Sequence, residues 1–320
     1  MAHMFETGFF AEMPAWHGLG VVGERALSVP EAIQMSGLDW KVEPTPIYVN
    51  GEEVAGYKAN VRSSDGQVLA VVTDRFKVIQ NEEGFGVLEW MLAHDNVLIE
   101  AATSLKGGRI VTMLARIPQD YTILGDTLRP YLLFANSHDG TMAATIKPVN
   151  MRVECWNKLQ IALSEKGVSA TIRHTGNVRD KMHVAARALG VSEQHIRILQ
   201  KEAETFSRYR LPSEAWRRVV MDLIPVPEDS TERTRKVRHE QRRSMYRYIH
   251  REDLANHWIN GQPTGWCGLQ AVVDYIMHEP PVRKRANWAE TRFSDVILGE
   301  SEMVVKAAEA ILREGTLVPA

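Results

Sequence analysis

The sequence predicts an α+β fold: an antiparallel, hairpin-rich sheet with packed helices (a β-β-β-α-like core), followed by a helical C-terminal region. Three observations carry that expectation. Apolar residues recur with period two in short runs between residues 46 and 147, separated by Asn50-Gly51, Asp65-Gly66 and Gly107-Gly108. Residues 131–147 hold two further strand-like runs around Asp139-Gly140, and the RxxCxN step at 152–157 reads as the entry to a helix. After residue 175 the spacing becomes helical almost throughout. The expected divisions are an N-terminal anchor and short helix over 1–45, an α+β core over 46–170, and a helical region over 171–320.

In order along the chain, PAWHGLG (14–20) is too glycine-rich for a regular element, and Trp16 reads as an anchor on a core. Residues 28–37 predict a short helix, with Ser28 as cap, Pro30 and Glu31 in the first turn and Gly37 closing it. Hairpins are expected over 46–54 and 57–73. In the longer one Tyr57, Ala59 and Val61 share one face and Lys58, Asn60 and Arg62 the other. Residues 76–79 read as a strand and 82–94 as a helix with Phe85, Leu88, Trp90 and Leu92 on its apolar side. Hairpins over 97–117 and 130–147 follow, then a helix over 155–163. Further helices are expected over 178–189, 192–210, from 213 with the stripe Trp216, Val219, Val220 and Leu223, and over 231–252, 265–278 and 286–313.

Composition excludes several classes. With 320 residues, 44% of them hydrophobic, the chain can bury a large core, and a formal net charge of −2 gives no whole-molecule attraction to nucleic acid or anionic membrane. Two cysteines are too few for a disulfide scaffold and fit a reducing cytosol. The N-terminus lacks the charge and apolar pattern of a secretory signal, and no run reaches the ~20 apolar residues of a membrane helix. A soluble, intracellular protein without membrane contact is expected.

Electrostatic partners must therefore be met by local patches. The strongest is TERTRKVRHEQRRSMYRYIHR (231–251), a basic helical face with Tyr246 among arginines. Arginine forks contact phosphate and an aromatic ring stacks on a base, whereas the plain alternative is a solvated helix paired with Glu228, Asp229 and Asp253. A second basic set lies on strands and turns: Lys58, Arg62, Arg75, Lys77, Lys106, Arg109, Lys147 and Arg152. Edge protection explains part of that set. NSHDG (136–140) places His138 beside Asp139, but turn chemistry accounts for it more simply than a metal. The remaining histidines lack zinc-site spacing, PAWHGLG lacks a phosphate-loop ending, and Cys155 and Cys267 read as structural thiols. No metal or cofactor is expected.

Four motifs, PAWHGLG (14–20), GLDW (37–40), DRFKVIQN (74–81) and NSHDG (136–140) with RVECWN (152–157), resemble the phage/plasmid-like proteins built on domain of unknown function 932. GWCGLQAVVDY (265–275) is similar to the same family's C-terminal element, with Gln270 for its usual Asn, Asp274 for its Glu, and Trp156 where Gln is common. The resemblance implies a phage, prophage or plasmid origin in a bacterial cytoplasm and carries over no catalytic residue. Hairpins followed by a helix, with basic residues on the sheet, are also similar at the level of fold to Rad52-type single-strand annealing proteins.

The expectation is a non-enzymatic, homo-oligomeric protein (ring or filament) of phage or plasmid recombination or replication. Single-stranded DNA would lie along Lys58, Arg62, Arg75, Lys77, Arg109, Lys147 and Arg152, with Arg235, Arg238, Arg242 and Arg243 adding phosphate contacts. The alternative is a factor that binds a host protein and modulates defence or replication, with Trp16 or Trp258 as anchors. A metal-dependent nuclease would have to draw on Asp74, Asp139 and Glu154.

Overall fold

A computed structural model describes residues 5–11, 21–23, 27–92, 98–117, 119–152, 157–159, 170–175, 190–279 and 302–318. Strands β1 (Phe5–Ala11) and β2 (Val21–Gly23) precede helix α1 (Val29–Met35). Strands β3 (Val42–Val49), β4 (Glu52–Arg62) and β5 (Val68–Thr73) lead to α2 (Asn81–Leu92). Then come β6 (Leu98–Leu105), β7 (Ile110–Arg116), β8 (Tyr121–Ile123), β9 (Asp126–Ser137), β10 (Ala144–Arg152), β11 (Asn157–Leu159) and β12 (Ala170–Ile172). Helices α3 (Gly190–Ser207), α4 (Ser213–Leu223), α5 (Glu232–Tyr248), α6 (Gly265–His278) and α7 (Glu302–Glu314) complete an α+β molecule with a helical C-terminal region. No described helix is long and apolar enough to cross a membrane.

The main sheet runs β11-β10-β9-β7-β6-β1-β2, with β12 and β8 pairing to β10 and β9. It is antiparallel except where β2 joins β1. Alternation along β7 and β9 builds two cores. Val111, Met113, Leu132 and Phe134 face α1 and α2, while Ile110, Leu114, Tyr131 and Leu133 face the other way. Burial on both faces is why YLLFA (131–135) is continuously apolar rather than alternating. Ser28 stands at the expected cap position of α1, with Glu31 Oε2 accepting from its N–H at 2.9 Å and its Oγ at 2.8 Å, and Gly37 sits at φ +66° just past the helix end.

Two sequence expectations fail here. Residues 157–159, expected to be helical, form β11 on the open edge of β10, with Asn150 opposite Leu159. The free ladder of that edge outweighs local helical spacing. The rest of that expected helix, the expected helix over 178–189, Trp16 and Cys155 lie outside the described residues. Gly190, expected as a stop, instead opens α3.

Strands β3-β4-β5 form a second antiparallel sheet. Asn50 (φ +54°) and Gly51 (φ +87°) close its first hairpin, with both residues in the left-handed region as a two-residue loop requires. The faces of β4 separate as read from the sequence, but their orientation is inverted. Asn60 and Arg62 turn into the core, whereas Tyr57 (49% exposed), Val68 (50%) and Val71 (58%) turn out.

The helical region has its own core, built on Trp216, Val219, Val220, Met245, Trp266, Leu269 and Ile311. Gly265 and Gly268 explain the GWCG spacing, because they bring α6 close to its neighbours. A Cβ at Gly265 would meet the Phe206 carbonyl oxygen at 2.8 Å, and one at Gly268 would meet Leu211 Cδ1 at 2.5 Å. Ile123 and Leu128 of the sheet join this core, and a buried His257–Asp126 hydrogen bond of 2.8 Å ties the β8–β9 hairpin to the turn before α6.

Helix α2 offers a paired test of packing. A Cβ at Gly84 would lie 2.6 Å from Phe134 Cζ, whereas one at Gly86 would meet nothing within 4 Å. Gly84→Ala is expected to destabilise by about 1–3 kcal/mol through overpacking. Gly86→Ala should stabilise by about 0.5–1 kcal/mol through helix propensity. Urea midpoints of the two variants at equal m-value check both signs.

Candidate nucleic-acid interface

The segment 74–81 is the expected strand that is not one. It leaves β5 and reaches α2 without a ladder partner, its backbone groups taken instead by single backbone and side-chain bonds. Lys77 N–H donates to the His174 carbonyl and His174 Nδ1–H donates back to the Lys77 carbonyl, both at 2.9 Å. Asn136 Nδ2 donates to the Ile79 carbonyl at 3.0 Å. The Gln80 amide imitates a strand, accepting from Val42 N–H and donating to the Val42 carbonyl, each at 2.9 Å.

Asn81 and His138 close the far end of this strap. Asn81 Nδ2 donates to the Leu38 carbonyl at 2.9 Å, which makes its Oδ1 the acceptor for His138 Nε2–H at 2.9 Å. That assignment leaves Nδ1 as the unprotonated nitrogen of a neutral ring. Asn60 Nδ2 donates to the His138 carbonyl at 2.8 Å, and the Trp40 and His138 rings meet edge-on at 5.3 Å. GLDW, DRFKVIQN and NSHDG, scattered in sequence, are therefore one buried polar joint. Asp139 acts as the turn chemistry predicts, its Oδ1 accepting from Thr141 N–H (3.0 Å) and Thr141 Oγ1 (2.6 Å), with Gly140 at φ +73°.

Around this joint lie four exposed cations. Arg75 and Lys77 project from the strap, Arg109 from the β6–β7 turn and Arg173 from the end of β12. His138 N–H donates to the Arg109 carbonyl at 2.7 Å, and Phe76 stacks on His174 at 4.4 Å. The 75–77, 109, 138–140 and 173–174 segments thus meet at one end of the sheet. None of the four side chains has an ion-pair partner among the described residues. Arg173 was not singled out from the sequence. The β-prone run Ala170-Thr171-Ile172 before it was the available signal.

The other expected contacts disperse. Arg62 is a correction: its guanidinium is buried and committed, donating to Asp65 (2.9 and 2.6 Å), Glu6 (2.7 Å) and Gln67 (2.6 Å) over the Trp40 ring. Paired carboxylates raise the Arg62 pKa, and Asp65 is held down at about 2 by the Arg62 hydrogen bond. Lys58 and Lys147 are half-buried within β4 and β10. Arg152 pairs through its backbone with Leu128, at the end of β10 away from the Asp139 turn.

On α5, Arg242 is also structural, its Nε donating to the Ile224 carbonyl at 2.8 Å and so capping the end of α4. Arg235 donates to the Glu228 carbonyl (2.6 Å) and Arg238 to Gln241 (3.3 Å), while Arg243 is exposed without a partner among the described residues. Trp258 is half-buried, its Nε1 donating to the Ile249 carbonyl at 3.2 Å. Cys267 is buried in the helical core. No three His, Cys, Asp or Glu side chains converge among the described residues, and Glu154 lies outside them.

The joint makes a pH prediction. Burial, with His174 nearby, pushes His138 down to about 3 from its ordinary 6.5, against a smaller upward pull from Asp139. The unfolded chain then binds more protons than the folded one between those values. The stability gained from a neutral His138 is complete above pH ~6.5 and is lost as pH falls toward 3, by up to about 1.4 kcal/mol per unit. Melting temperatures from pH 7.5 to 4 should fall more steeply for the wild type than for His138→Gln, which keeps a donor toward Asn81.

A family model described as Domain of unknown function (DUF932) matches residues 68–296, more than half of the chain, and spans the strap, the NSHDG turn and the GWCG helix. Comparison with curated proteins and with solved structures finds no match. By that match the chain belongs to the DUF932 family.

Proposed function

We propose that the protein binds single-stranded nucleic acid through its phosphates, without catalysis, in the recombination or replication of a phage or plasmid. One observation carries the reading. Arg75, Lys77, Arg109 and Arg173 are exposed, unpaired among the described residues, and held at one end of the sheet by backbone hydrogen bonds rather than by flexible loops. Cations fixed in this way follow a sugar–phosphate backbone without reading bases. The half-buried Phe76 between Arg75 and Lys77 stacks on His174 at 4.4 Å and so helps to hold the two cations in place. Family membership supplies no activity, and the phage or plasmid setting rests on the motif resemblance alone.

Fluorescence anisotropy with a labelled oligonucleotide tests the reading. Wild-type affinity is expected to fall steeply with salt, because each neutralised phosphate releases a counterion. Replacing Arg75, Lys77, Arg109 and Arg173 by Ala should lower the log–log salt slope by about 2–3, at ~0.7 per phosphate contact on a single strand. An unchanged slope, or no wild-type binding at low salt, would sink the proposal.

A further inference from the structure

Beyond Tyr57, which pairs with Thr73, β4 has no β5 partner. Residues 47–56 therefore form a two-stranded arm, with Tyr48 opposite Glu53 and Val49 opposite Glu52. The register shifts between Pro46 and Tyr48, and Gly56 adopts φ +84°, so the arm bends where the third strand stops. An isolated two-stranded hairpin is marginal in water, yet this one exposes Tyr48 at 61% and Val49 at 57%. Its charge is one-signed: Glu43, Glu52 and Glu53 are the charged residues from Val42 to Tyr57, with no cation among them.

The complementary surface is α5. Glu232–Tyr248 carries seven Lys or Arg against two Glu. Arg233, Lys236 and Arg243 are exposed and unpaired among the described residues. No described hydrogen bond or ion pair joins arm and helix within one chain.

We propose that the arm of one copy docks on α5 of a second copy, with Tyr48 and Glu53, which share one face of the arm, turned toward Arg233, Lys236 and Arg243, and with Glu52 on the opposite face adding its charge at the tip. Arm and helix are different surfaces, so the contact is heterologous: each copy offers a free arm and a free helix, and assembly continues into a ring or a filament. A second copy is the occupant that the page supports, because both halves of the complementary pair lie on this chain. The contact is independent of the nucleic-acid reading, which uses the opposite set of elements, the strap and the β6–β7 turn.

Sedimentation velocity on nuclease-treated, full-length protein tests it. The wild type is expected to associate with rising concentration, and less so at high salt. Glu52→Lys with Glu53→Lys, and separately Arg233→Glu with Lys236→Glu and Arg243→Glu, should each weaken association at least ~10-fold, about 1.4 kcal/mol. All five positions are exposed, and circular dichroism melts verify that each variant folds. Mixing the two charge-reversed proteins should restore assembly, since each arm then meets a helix of opposite sign. A monomeric wild type at every concentration overturns the proposal, as does assembly indifferent to either reversal, or a mixture that stays dissociated. Reversal on α5 that weakens only oligonucleotide binding would assign that helix to the nucleic acid and overturn it equally.

Discussion

The molecule depends on side chains doing the work of a missing strand. Between β5 and α2 the chain must cross the buried seam between the small sheet and the main one, where an unpaired backbone carbonyl costs about 1–3 kcal/mol. Asn136, His174 and Gln80 meet that demand, capturing the carbonyls of Ile79 and Lys77 and both polar groups of Val42. Each of these side chains can be replaced in shape, but few residues offer a donor at the required place. That explains why polar residues sit in positions an ordinary core would fill with Leu or Val. The same constraint fixes Lys77 in space, because its own N–H and carbonyl are the captured groups, and with it Arg75 two residues earlier on the strap.

Arg62 illustrates a second consequence of that seam. Read locally, β4 is an ordinary amphipathic strand whose basic face belongs in solvent. In the folded chain Glu6, Asp65 and Gln67 surround the guanidinium, and Trp40 lies beneath it. A buried arginine with two carboxylates is tolerable because each fork is satisfied; removing either partner would strand a charge. The apolar face is displaced to the outside as a result. Inversion of this kind is invisible to periodicity, which says that two faces differ but not which one finds partners.

What was legible in the sequence follows the range of the interactions. Turn chemistry at Asn50-Gly51, Asp139-Gly140 and Gly107-Gly108, the Ser28 cap and the Trp216 stripe are settled within a few residues, and the structure reproduces them. The strap was misread as a strand because VI at 78–79 has β propensity while its real partners lie 38 to 97 residues away. Strand β11 was misread as helix because the open edge of β10 is equally remote information. Of the candidate site residues, Arg75, Lys77 and Arg109 were legible only as members of a basic set on strands and turns. Arg62 and Arg242 were not separable from them, since Asp65 beside Arg62 reads as an ordinary turn residue and burial by the remote Glu6 or a neighbouring helix end leaves no local mark.

The near-neutral net charge conceals a separation of sign that matters more than the sum. Glutamates are alone on the arm, cations dominate α5, and unpaired cations ring the strap. A uniformly basic protein would bind phosphate strongly but would repel its own copies over a Debye length of ~8 Å. With charge −2 overall, the proposed assembly carries no long-range penalty, and its orientation would be selected by which patches meet. In the proposed reading, phosphate attraction is confined to the sheet end, where hydrogen bonds to the backbone, not flexible side-chain tethers alone, set the spacing of the cations. Binding at such a site loses less conformational freedom per contact than binding by a mobile basic tail. The buried joint of Asn81 and His138 therefore bears on the candidate interface without touching its ligand: it determines how rigidly the cations are presented.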